Sequence, residues 1–485
     1  MPDDLAFRSA VDLAKALRRR EIGCRELLEH YVARVERLNP TLNAVITLDL
    51  EAARARADEA DAALADGEYW GPLHGVPMTI KDTFETMGLK TTCGHPPLAN
   101  YVPGHDAVAV GRLAAAGAVF FGKTNVPTLA ADVQTYNPLF GVTSNPWDAS
   151  RTSGGSSGGA AAALAAGLTG FELGSDIGGS IRTPASWCGI YGHKPSYRII
   201  PTRGHIPGPP GTLAERDLSV VGPLGRGVKD LALGLDVLVG PLPEEQVAWS
   251  LQLPPSRHDH LREYRVGFWF DDPAYPVDGE VRAVLDAAVA ALRRAGCAVS
   301  DARPAIDLPG AVRTYFQLLF PVVLCDMPDE AFAEMVAAAA AAPAEADDPA
   351  TRTVRFTTIR HRAWIKADEE RQRIRAQCAE FFKTHDVLLM PVVPVAAIPH
   401  DHSEPMSSRT ISVDGKPRCY YDLFSWIALP TMAYLPATVA PVGRTRSGLP
   451  VGVQIVGPYL EDRTTVDFAG HAARVVGGFE PPPLG

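Results

Sequence analysis

The start of the chain alternates apolar and charged positions at the spacing of amphipathic helices. Leu13 and Leu17 fall on one side of a first helix, and Leu27 and Tyr31 on one side of a second. An alanine- and acid-rich stretch over residues 50–66 predicts a third helix. The chain therefore begins with helices that each bury one face.

From about residue 71 to 200 the pattern changes to short apolar runs separated by glycine- and alanine-rich segments. Runs at residues 76–80, 118–121 and 171–173 have the length of strands and are bounded by glycine. Continuous apolar runs are typical of strands buried on both faces, and helices between them favour parallel neighbours. We therefore predict an α/β fold with a large mixed, mostly parallel twisted β-sheet covered by helices on both faces.

The second half of the chain continues this alternation. Residues 228–239 predict a helix, residues 265–300 a strand followed by a helix, and residues 387–390 and 451–456 two further strands. We find no internal repeat, and one large α/β unit fits the chain better than a string of modules. We expect a single domain over residues 1–485.

The composition excludes several classes of function. The chain has 46 Lys and Arg against 56 Asp and Glu, a net charge of −10, and no basic run, which argues against a nucleic-acid surface. No stretch of about 18 uncharged apolar residues is present to span a membrane. Seven scattered cysteines without a C-x-x-C pair and an amino terminus without a secretory pattern indicate a cytoplasmic protein with reduced thiols.

Three short motifs are rejected on their context. Residues 117–124 match the phosphate loop G-x-x-x-x-G-K-[ST], but Ala-Val-Phe-Phe between the glycines favours a buried strand. Ser157 is central in a G-x-S-x-G pattern, yet the polar segment before it does not predict the strand that a hydrolase elbow requires. Two His-x-His pairs lie in polar, proline-flanked loops without a third ligand, so we expect solvated histidines and no metal (His258 with His260, His400 with His402).

Two glycine-framed serine loops form the most specific candidate site. Residues 154–159 carry Ser156, and residues 174–183 carry Ser180. Glycines let the backbone approach a substrate and can leave several N–H groups pointing at one spot, as the oxyanion of acyl transfer requires. Ser180 follows a short strand and is expected at the carboxyl edge of the sheet, where open sheets place their sites.

A nucleophilic serine needs a base, and lysines stand out more than histidines for this role. Lys81, Lys123 and Lys194 each lie near the end of a strand or in a loop. A lysine base must be neutral, so burial has to lower its pKa from about 10.4. Spacing alone does not choose among the three lysines. The histidines of this region have no distinguishing context (His74, His95, His105, His193 and His205).

Together these motifs closely resemble the amidase signature family of serine hydrolases. The resemblance is densest in a signature core over residues 71–200 and weaker over nearly the whole chain. The matching segments are Gly-Val-Pro-Met-Thr-Ile-Lys-Asp at 75–82, Gly-Lys-Thr-Asn at 122–125, Asn-Pro-Trp-Asp at 145–148, the double-serine glycine loop, Asp-Ile-Gly-Gly-Ser-Ile-Arg at 176–182, and Lys-Pro at 194–195. The resemblance implies the amidase signature fold and no cofactor.

The resemblance also implies which residues act. The family's Ser-Ser-Lys triad falls on Ser180 as nucleophile, Ser156 as a bridging serine in an unusual cis peptide, and Lys81 as base. Backbone N–H groups of the nucleophile loop would form the oxyanion hole (Ile177, Gly178, Gly179 and Ser180). Asp176 and Arg182 would brace that loop, and the other two lysines would be structural.

The reaction that the resemblance implies is hydrolysis of linear carbon–nitrogen bonds through an acyl-enzyme. We expect a small-molecule amide, anilide or carbamate substrate, no nucleic-acid or membrane partner, and a monomer or homodimer. The alternative within the family is the A subunit of glutamyl-tRNA amidotransferase, a partner-dependent glutaminase. The Phe-Gly-Glu-x-x-Lys/Arg-Arg pattern typical of that branch is replaced at residues 356–364, which favours the stand-alone amidase.

The variable region at residues 310–430 is expected to build the substrate pocket. Its large apolar side chains favour an apolar or aromatic substrate (Leu318, Leu319, Phe320, Trp364, Tyr420 and Trp426). An open apolar cleft would also admit anilides or aryl carbamates, in which the aromatic amine leaves more easily than an aliphatic one, and the sequence leaves the natural substrate open.

Overall fold

A computed structural model describes residues 2–484 of the chain. Its helices are α1 (Pro2–Phe7), α2 (Ala10–Arg18), α3 (Cys24–Leu42), α4 (Leu50–Ala65), α5 (Val108–Ala115), α6 (Gly158–Ala165), α7 (Arg182–Cys188), α8 (Val228–Leu238), α9 (Gly279–Arg294), α10 (Leu308–Val323), α11 (Asp329–Ala341), α12 (Pro349–Thr357), α13 (His361–Phe381), α14 (Ser425–Met432) and α15 (Asp462–Val476).

The strands are β1 (Val45–Leu48), β2 (Pro77–Lys81), β3 (Val119–Thr124), β4 (Tyr136–Asn137), β5 (Gly141–Val142), β6 (Ser144–Asn145), β7 (Asp148–Thr152), β8 (Glu172–Asp176), β9 (Tyr191–Lys194), β10 (Val220–Gly225), β11 (Arg265–Phe268), β12 (Ala298–Ser300), β13 (Val387–Pro391), β14 (Thr410–Val413), β15 (Lys416–Cys419), β16 (Ala437–Arg444) and β17 (Pro450–Val456). Each helix and strand that the hydrophobic pattern predicted is present, with ends that differ by a few residues.

An eight-stranded sheet forms the centre of the fold, in the order β12-β11-β13-β17-β16-β9-β10-β8. Over residues 2–484, β11 pairs in parallel with β12 and β13, and the other five pairings of this sheet are antiparallel. The predicted mixed α/β sheet is confirmed, but the prediction that it is mostly parallel is wrong. A short connection explains the antiparallel pairing of β16 with β17, because only residues 445–449 join them and a parallel pair needs a crossover of about a dozen residues or more.

Helices cover both faces of this sheet, as predicted. Successive side chains of a strand point to opposite faces. In β16, Thr438 shares a hydrogen bond of 2.8 Å with Thr465 of α15 on one face. The next residue, Val439, lies beside Gly452, whose N–H donates to Ser186 of α7 at 3.0 Å on the other face.

A second, three-stranded sheet carries two of the three candidate lysines. Its order is β1-β3-β2, with β2 parallel to β3. Lys81 is the last residue of β2 and lies opposite Thr124, while Lys123 lies within β3 opposite Ile80. The phosphate-loop match thus falls on a strand whose residues are buried or half-buried, as its apolar residues predicted.

Both serine loops lead directly into helices that pack against each other. The first loop ends at Ser157, the residue before α6, and the second ends at Ile181, the residue before α7. Every residue of these two helices is buried. The small residues of α6 allow this close packing: a Cβ on Gly159 would lie 2.3 Å from the backbone nitrogen of Asn125. The two loops are therefore held side by side at the centre of the molecule.

Across the described helices, none has the length and apolar character that a membrane crossing requires. The seven cysteines are free thiols, and five of them are buried.

Candidate active site

Lys81 contacts the first serine loop from the end of β2. Its Nζ lies 2.8 Å from Ser156 Oγ and 2.9 Å from Ser175 Oγ, and its side chain is fully buried. Burial lowers the pKa of Lys81 to about 7, although the negative charges of nearby acidic groups oppose this shift. A substantial fraction of Lys81 is therefore neutral near pH 7, the state in which a lysine accepts a proton.

The other two candidate lysines have different partners. Lys123 Nζ donates to the backbone oxygen of Phe84 at 2.5 Å and to the hydroxyls of Thr86 and Thr91. Lys194 Nζ donates to the backbone oxygen of the next residue at 2.7 Å. Burial lowers the pKa of Lys123 to about 8 and that of Lys194 to about 7. Low pKa values alone do not separate the three lysines, but the contact with Ser156 does.

The Ser156 loop is tied to the Ser180 loop through its backbone and through Ser157. The peptide bond between Gly155 and Ser156 is cis, as the family resemblance implied. The N–H of Ser157 donates to the backbone oxygen of Ser180 at 3.1 Å, and its hydroxyl donates to the backbone oxygen of Ser175 at 3.4 Å. Strand β7 precedes this loop, where the sequence predicted an irregular segment. The Ser157 hydroxyl nevertheless donates to a backbone oxygen and does not line the cavity with Ser156 and Ser180.

The Ser180 loop folds around the Asp176 carboxylate. This carboxylate accepts hydrogen bonds from the N–H groups of Gly179 at 2.9 Å and Ile181 at 3.1 Å, and it pairs with the Arg182 guanidinium at 2.8 Å. Burial opposes ionisation of Asp176, yet the Arg182 charge and these hydrogen bonds hold its pKa below the usual value. Arg182 is anchored in turn to Gln454 of β17 at 2.8 Å. The ion pair thus connects the loop to the large sheet.

The predicted oxyanion hole lies on the same loop. Tyr315 donates to the backbone oxygen of Ile177 at 3.0 Å, which fixes the start of the loop. Gly178 packs so closely that a Cβ there would lie 2.9 Å from the ring of Phe424. The N–H of Gly179 already donates to Asp176, so an oxyanion would have to share it. Ile177, Gly178 and Ser180 therefore stay the stronger predicted donors.

Ser156 and Ser180 line one small cavity of about 60 Å³. The other polar residues of its wall are Ser175, Asp176, His205, Arg216, Ser219 and Asp326. The apolar residues of its wall are Leu129, Ala130, Ala131, Ile177, Pro207, Val322 and Val323. Only three of these residues, Val322, Val323 and Asp326, fall within residues 310–430, where the pocket was expected.

The aromatic residues that were expected to line the pocket do not line this cavity. Tyr420 and Trp426 are fully buried, and the Tyr420 hydroxyl donates to Asp132 at 2.7 Å. Phe320 lines a separate small cavity with Phe316 and Tyr421. Tyr420 and Trp426 are therefore core residues here, and apolar character alone does not distinguish a core side chain from a pocket wall.

Two residues of the site were missed by the sequence reasoning. Ser175 lies directly before Asp176 and contacts Lys81, so its place in the second serine loop was a usable signal. His205 Nε2 lies 2.7 Å from Ser175 Oγ, although this histidine is 30 residues further along the chain. No local pattern marks it, because a backbone pairing between residues 84 and 205 brings it to the site.

The His-x-His pairs are less solvated than predicted. His258 Nε2 lies 3.1 Å from the buried carboxylate of Asp386, and the His402 ring stacks on Tyr136 at a centroid distance of 3.8 Å. The polar sequence context did not reveal these tertiary partners. Within residues 2–484, no group of three or more His, Cys, Asp or Glu side chains is arranged to hold a metal ion.

Comparisons with known proteins identify relatives along the whole chain. The A subunit of glutamyl-tRNA(Gln) amidotransferase from Bdellovibrio bacteriovorus is 31% identical, with 99% of each chain covered. The corresponding protein of Thiobacillus denitrificans is 34% identical, with 96% of each chain covered. Among solved structures, 6-aminohexanoate cyclic dimer hydrolase is 27% identical, with a TM-score of 0.78 and 97% of each chain covered.

These relatives correct the prediction about partners. We expected a monomer or homodimer that acts on a small-molecule amide or carbamate without nucleic acid, but the curated relatives are by name one component of an enzyme that acts on a glutamyl-tRNA. The preference for a stand-alone amidase is likewise less well supported than its alternative. The physical reason is that net charge and short motifs describe one chain and carry no information about the surfaces of its partners.

The family itself follows from a match over nearly the entire sequence. A family model described as Amidase matches residues 26–466. This range contains both serine loops, Lys81 and every strand of the large sheet. The chain therefore belongs to the amidase family, the amidase signature enzymes, and is a hydrolase of carbon–nitrogen bonds.

Proposed function

We propose that this chain is the component of a glutamyl-tRNA(Gln) amidotransferase that releases ammonia from the side-chain amide of glutamine. The observation that carries the proposal is the full-length similarity to the A subunits of such enzymes, at 31% and 34% identity. In this function the ammonia is consumed by a partner protein, which uses it to amidate the glutamyl group on the tRNA.

The geometry around Lys81 supports the chemistry of this proposal. Neutral Lys81 takes the proton of Ser156, and Ser156 takes the proton of Ser180 as the Ser180 oxygen bonds to the carbonyl carbon. Backbone N–H groups of Ile177 and Gly178 stabilise the oxyanion, and removing one such donor in comparable sites costs about 3–4 kcal/mol. These roles rest on the 2.8 Å contact between Lys81 and Ser156 and on the shared cavity.

The second half of the reaction reverses the proton path. The carbon–nitrogen bond breaks as Ser156 returns a proton to the departing nitrogen, so that neutral ammonia leaves instead of an amide anion. Lys81 then reprotonates Ser156. A water molecule attacks the ester on Ser180 through the same relay, and glutamate leaves with Ser180 restored.

The charged pair at the cavity fits a zwitterionic amide donor. Arg216 Nη2 lies 3.0 and 2.8 Å from the two carboxylate oxygens of Asp326, and both residues line the cavity with Ser180. The pair is partly exposed, so it lies on the solvent side of the cavity. A free amino acid carries one carboxylate and one ammonium group, and Arg216 and Asp326 supply the two opposite charges.

The apolar part of the cavity wall favours a second candidate substrate for the same triad. Seven of the lining residues are apolar, among them Leu129 and Val322. In this case the departing group is an aromatic amine from an anilide or an aryl carbamate. This candidate uses the same triad but differs from the first in its substrate and in needing no partner protein. It predicts that the charge of Arg216 has little influence on substrate binding.

Complementation separates the two candidates. Cells depleted of the A subunit of their glutamyl-tRNA(Gln) amidotransferase are supplied with the wild-type chain, with Ser180→Ala, or with an empty vector. Restored conversion of glutamyl-tRNA(Gln) to glutaminyl-tRNA(Gln) by the wild type alone supports the first candidate. Failure of the wild type, together with Ser180-dependent release of nitroaniline from 4-nitroacetanilide, contradicts it in favour of the second.

A further inference from the structure

Two further hydrogen-bonding groups extend from Lys81, in addition to Ser156. Ser175 Oγ lies 2.9 Å from Lys81 Nζ, and His205 Nε2 lies 2.7 Å from Ser175 Oγ. Ser175 is buried, and His205 lines the cavity that holds Ser156 and Ser180. The Ser175 hydroxyl has one proton, so it donates to one of its two neighbours and accepts from the other.

The direction of these hydrogen bonds decides what Lys81 can do. A neutral lysine has two N–H bonds and one lone pair, and it acts as base toward Ser156 only if that lone pair faces Ser156. If the Ser175 hydroxyl donates to Lys81, it occupies the same lone pair. If it donates to His205 instead, it accepts an N–H from Lys81 and leaves the lone pair for Ser156.

We propose that His205 is a positioning residue that accepts the Ser175 proton at Nε2 and thereby points the Lys81 lone pair at Ser156. The inference rests on the roles proposed above for Lys81 and Ser156. In this role His205 acts on the reacting atoms through Ser175, although it also lines the cavity.

The surroundings of His205 keep it in the neutral state that this role requires. Burial and the nearby Lys81 lower the pKa of His205 to about 3, so the ring is neutral, with one protonated and one unprotonated nitrogen, at every pH at which Lys81 is neutral. The ring lies edge-on to Phe84 with a centroid distance of 4.9 Å. The proposal assigns the remaining ring proton to Nδ1.

The backbone places His205 with respect to the lysine strand. The N–H of Ile206 donates to the oxygen of Thr83 at 2.7 Å, and the N–H of Glu85 donates to the oxygen of Gly204 at 2.9 Å. These bonds pair the residues on both sides of His205 with the segment that directly follows Lys81. The position of the imidazole relative to Lys81 is thus fixed by backbone hydrogen bonds on both sides of His205.

A double-mutant cycle tests the proposal with a probe that needs no knowledge of the substrate. An alkyl fluorophosphonate forms a bond between Ser180 Oγ and phosphorus, fluoride leaves, and the Ser180 proton passes through Ser156 to Lys81. Intact-mass spectrometry gives the binding constant and the maximal labelling rate for the wild type, His205→Phe, Ser175→Ala and the double variant. His205→Gln is the conservative control, because its side-chain oxygen can reach the position of Nε2.

The expected result is a maximal labelling rate about tenfold lower in His205→Phe with an unchanged binding constant, and recovery of most of this loss in His205→Gln. In the Ser175→Ala background, His205→Phe has no further effect, since the hydroxyl it orients is gone. Equal effects of His205→Phe with and without Ser175, or no effect at all, overturn the proposal. If His205→Phe does not fold, His205→Asn, whose amide is too short to reach Ser175, replaces it in the cycle.

Lys81→Met is labelled in parallel to separate this inference from the proposed function. If Lys81→Met reacts at the wild-type rate, the proposed base is wrong and the His205 role falls with it. If Lys81→Met is labelled slowly, while His205→Phe has the same effect with and without Ser175, the role of Lys81 as base is supported and the His205 inference alone fails.

Discussion

Lys81 Nζ lies 2.8 Å from Ser156 Oγ, and both side chains are almost completely buried. The other close partner of the lysine is also a hydroxyl, that of Ser175. Two hydroxyls stabilise an ammonium ion much less than a contacting carboxylate does, which is why burial lowers the pKa of Lys81 to about 7. The fold thus places a buried lysine with a lowered pKa beside a serine that lines the cavity.

Replacing Lys81, the proposed base, should slow the reaction strongly while leaving the fold intact. We expect Lys81→Met to lower the fluorophosphonate labelling rate by roughly 10² to 10⁴-fold, the range that general-base catalysis contributes. Lys194→Met is the matched control, because burial also lowers the pKa of Lys194 to about 7 but its nitrogen binds a backbone oxygen. Comparable losses in both variants would show that Lys81 has no special role.

The rate should follow the protonation of Lys81. Below pH 7 the lysine is charged and accepts no proton, so the labelling rate should rise through about pH 7 and level off at higher pH, as set by a pKa of about 7. The measurement is the maximal labelling rate between pH 5.5 and 9.5 with a single buffer mixture. A flat profile would mean that the base has another pKa or that another group acts as base.

The same pKa predicts how stability depends on pH. The folded-state pKa of Lys81 is about 7, whereas a lysine in an unfolded chain titrates near 10.4. Between these values the unfolded state binds more protons, so the free energy of unfolding should rise with pH in this window. Urea titrations should show that Lys81→Met is more stable than the wild type at pH 7, with a difference that shrinks toward pH 10. A variant less stable than the wild type at pH 7 would contradict the low pKa.

The Asp176–Arg182 ion pair should be necessary for the folded conformation of the Ser180 loop. Both side chains are fully buried, and breaking a buried pair typically costs about 3–5 kcal/mol because the remaining charge has no partner. We expect Asp176→Asn to lower the free energy of unfolding by about this amount and to slow labelling of Ser180. Asp326→Asn breaks the partly exposed pair with Arg216 and should cost about 1 kcal/mol or less. Equal costs would argue that the buried pair does not brace the loop.

The charge of Arg216 should affect KM for glutamine but not KM for a neutral amide. If Arg216 receives the carboxylate of the amide donor, Arg216→Gln should raise KM for glutamine about tenfold or more, since a charge-assisted pair is lost. KM for hexanamide, which has no charged group, should stay within about twofold of the wild-type value. Both KM values are obtained from the rate of ammonia release by this chain in complex with its partner protein. A parallel rise of both KM values would indicate a general disturbance of the cavity.

Periodicity and motif context predicted much of the fold. The strand at residues 118–121 was recognised because Ala-Val-Phe-Phe disfavours a phosphate loop, and this segment is indeed part of buried β3. Strand direction was not predictable in the same way. Buried antiparallel strands such as β16 and β17 show continuous apolar runs, just as parallel strands do, so hydrophobicity does not reveal the pairing.

The residues of the site likewise fall into those that local motifs predict and those that only tertiary contacts bring together. Contiguous glycine-serine motifs located Ser156 and Ser180, and family resemblance chose Lys81 among three lysines. Contacts between distant segments were beyond local pattern, as with His205, which reaches Ser175 across 30 residues. Apolar character also failed to separate core from cavity wall, because Trp426 has the apolar character of a pocket wall and is nevertheless a fully buried core residue.

The central claim is that Ser180 is the nucleophile, and site-resolved labelling tests it most directly. Trypsin releases residues 152–182 as one peptide, because no lysine or arginine lies between Arg151 and Arg182. Fragment-ion spectra of this peptide after fluorophosphonate treatment must therefore locate the phosphonyl group among its serines. The account predicts a label on Ser180 that disappears in Ser180→Ala and persists in Ser157→Ala. A label on Ser156 or Ser157 in the wild type, or undiminished labelling of Ser180→Ala, would contradict it.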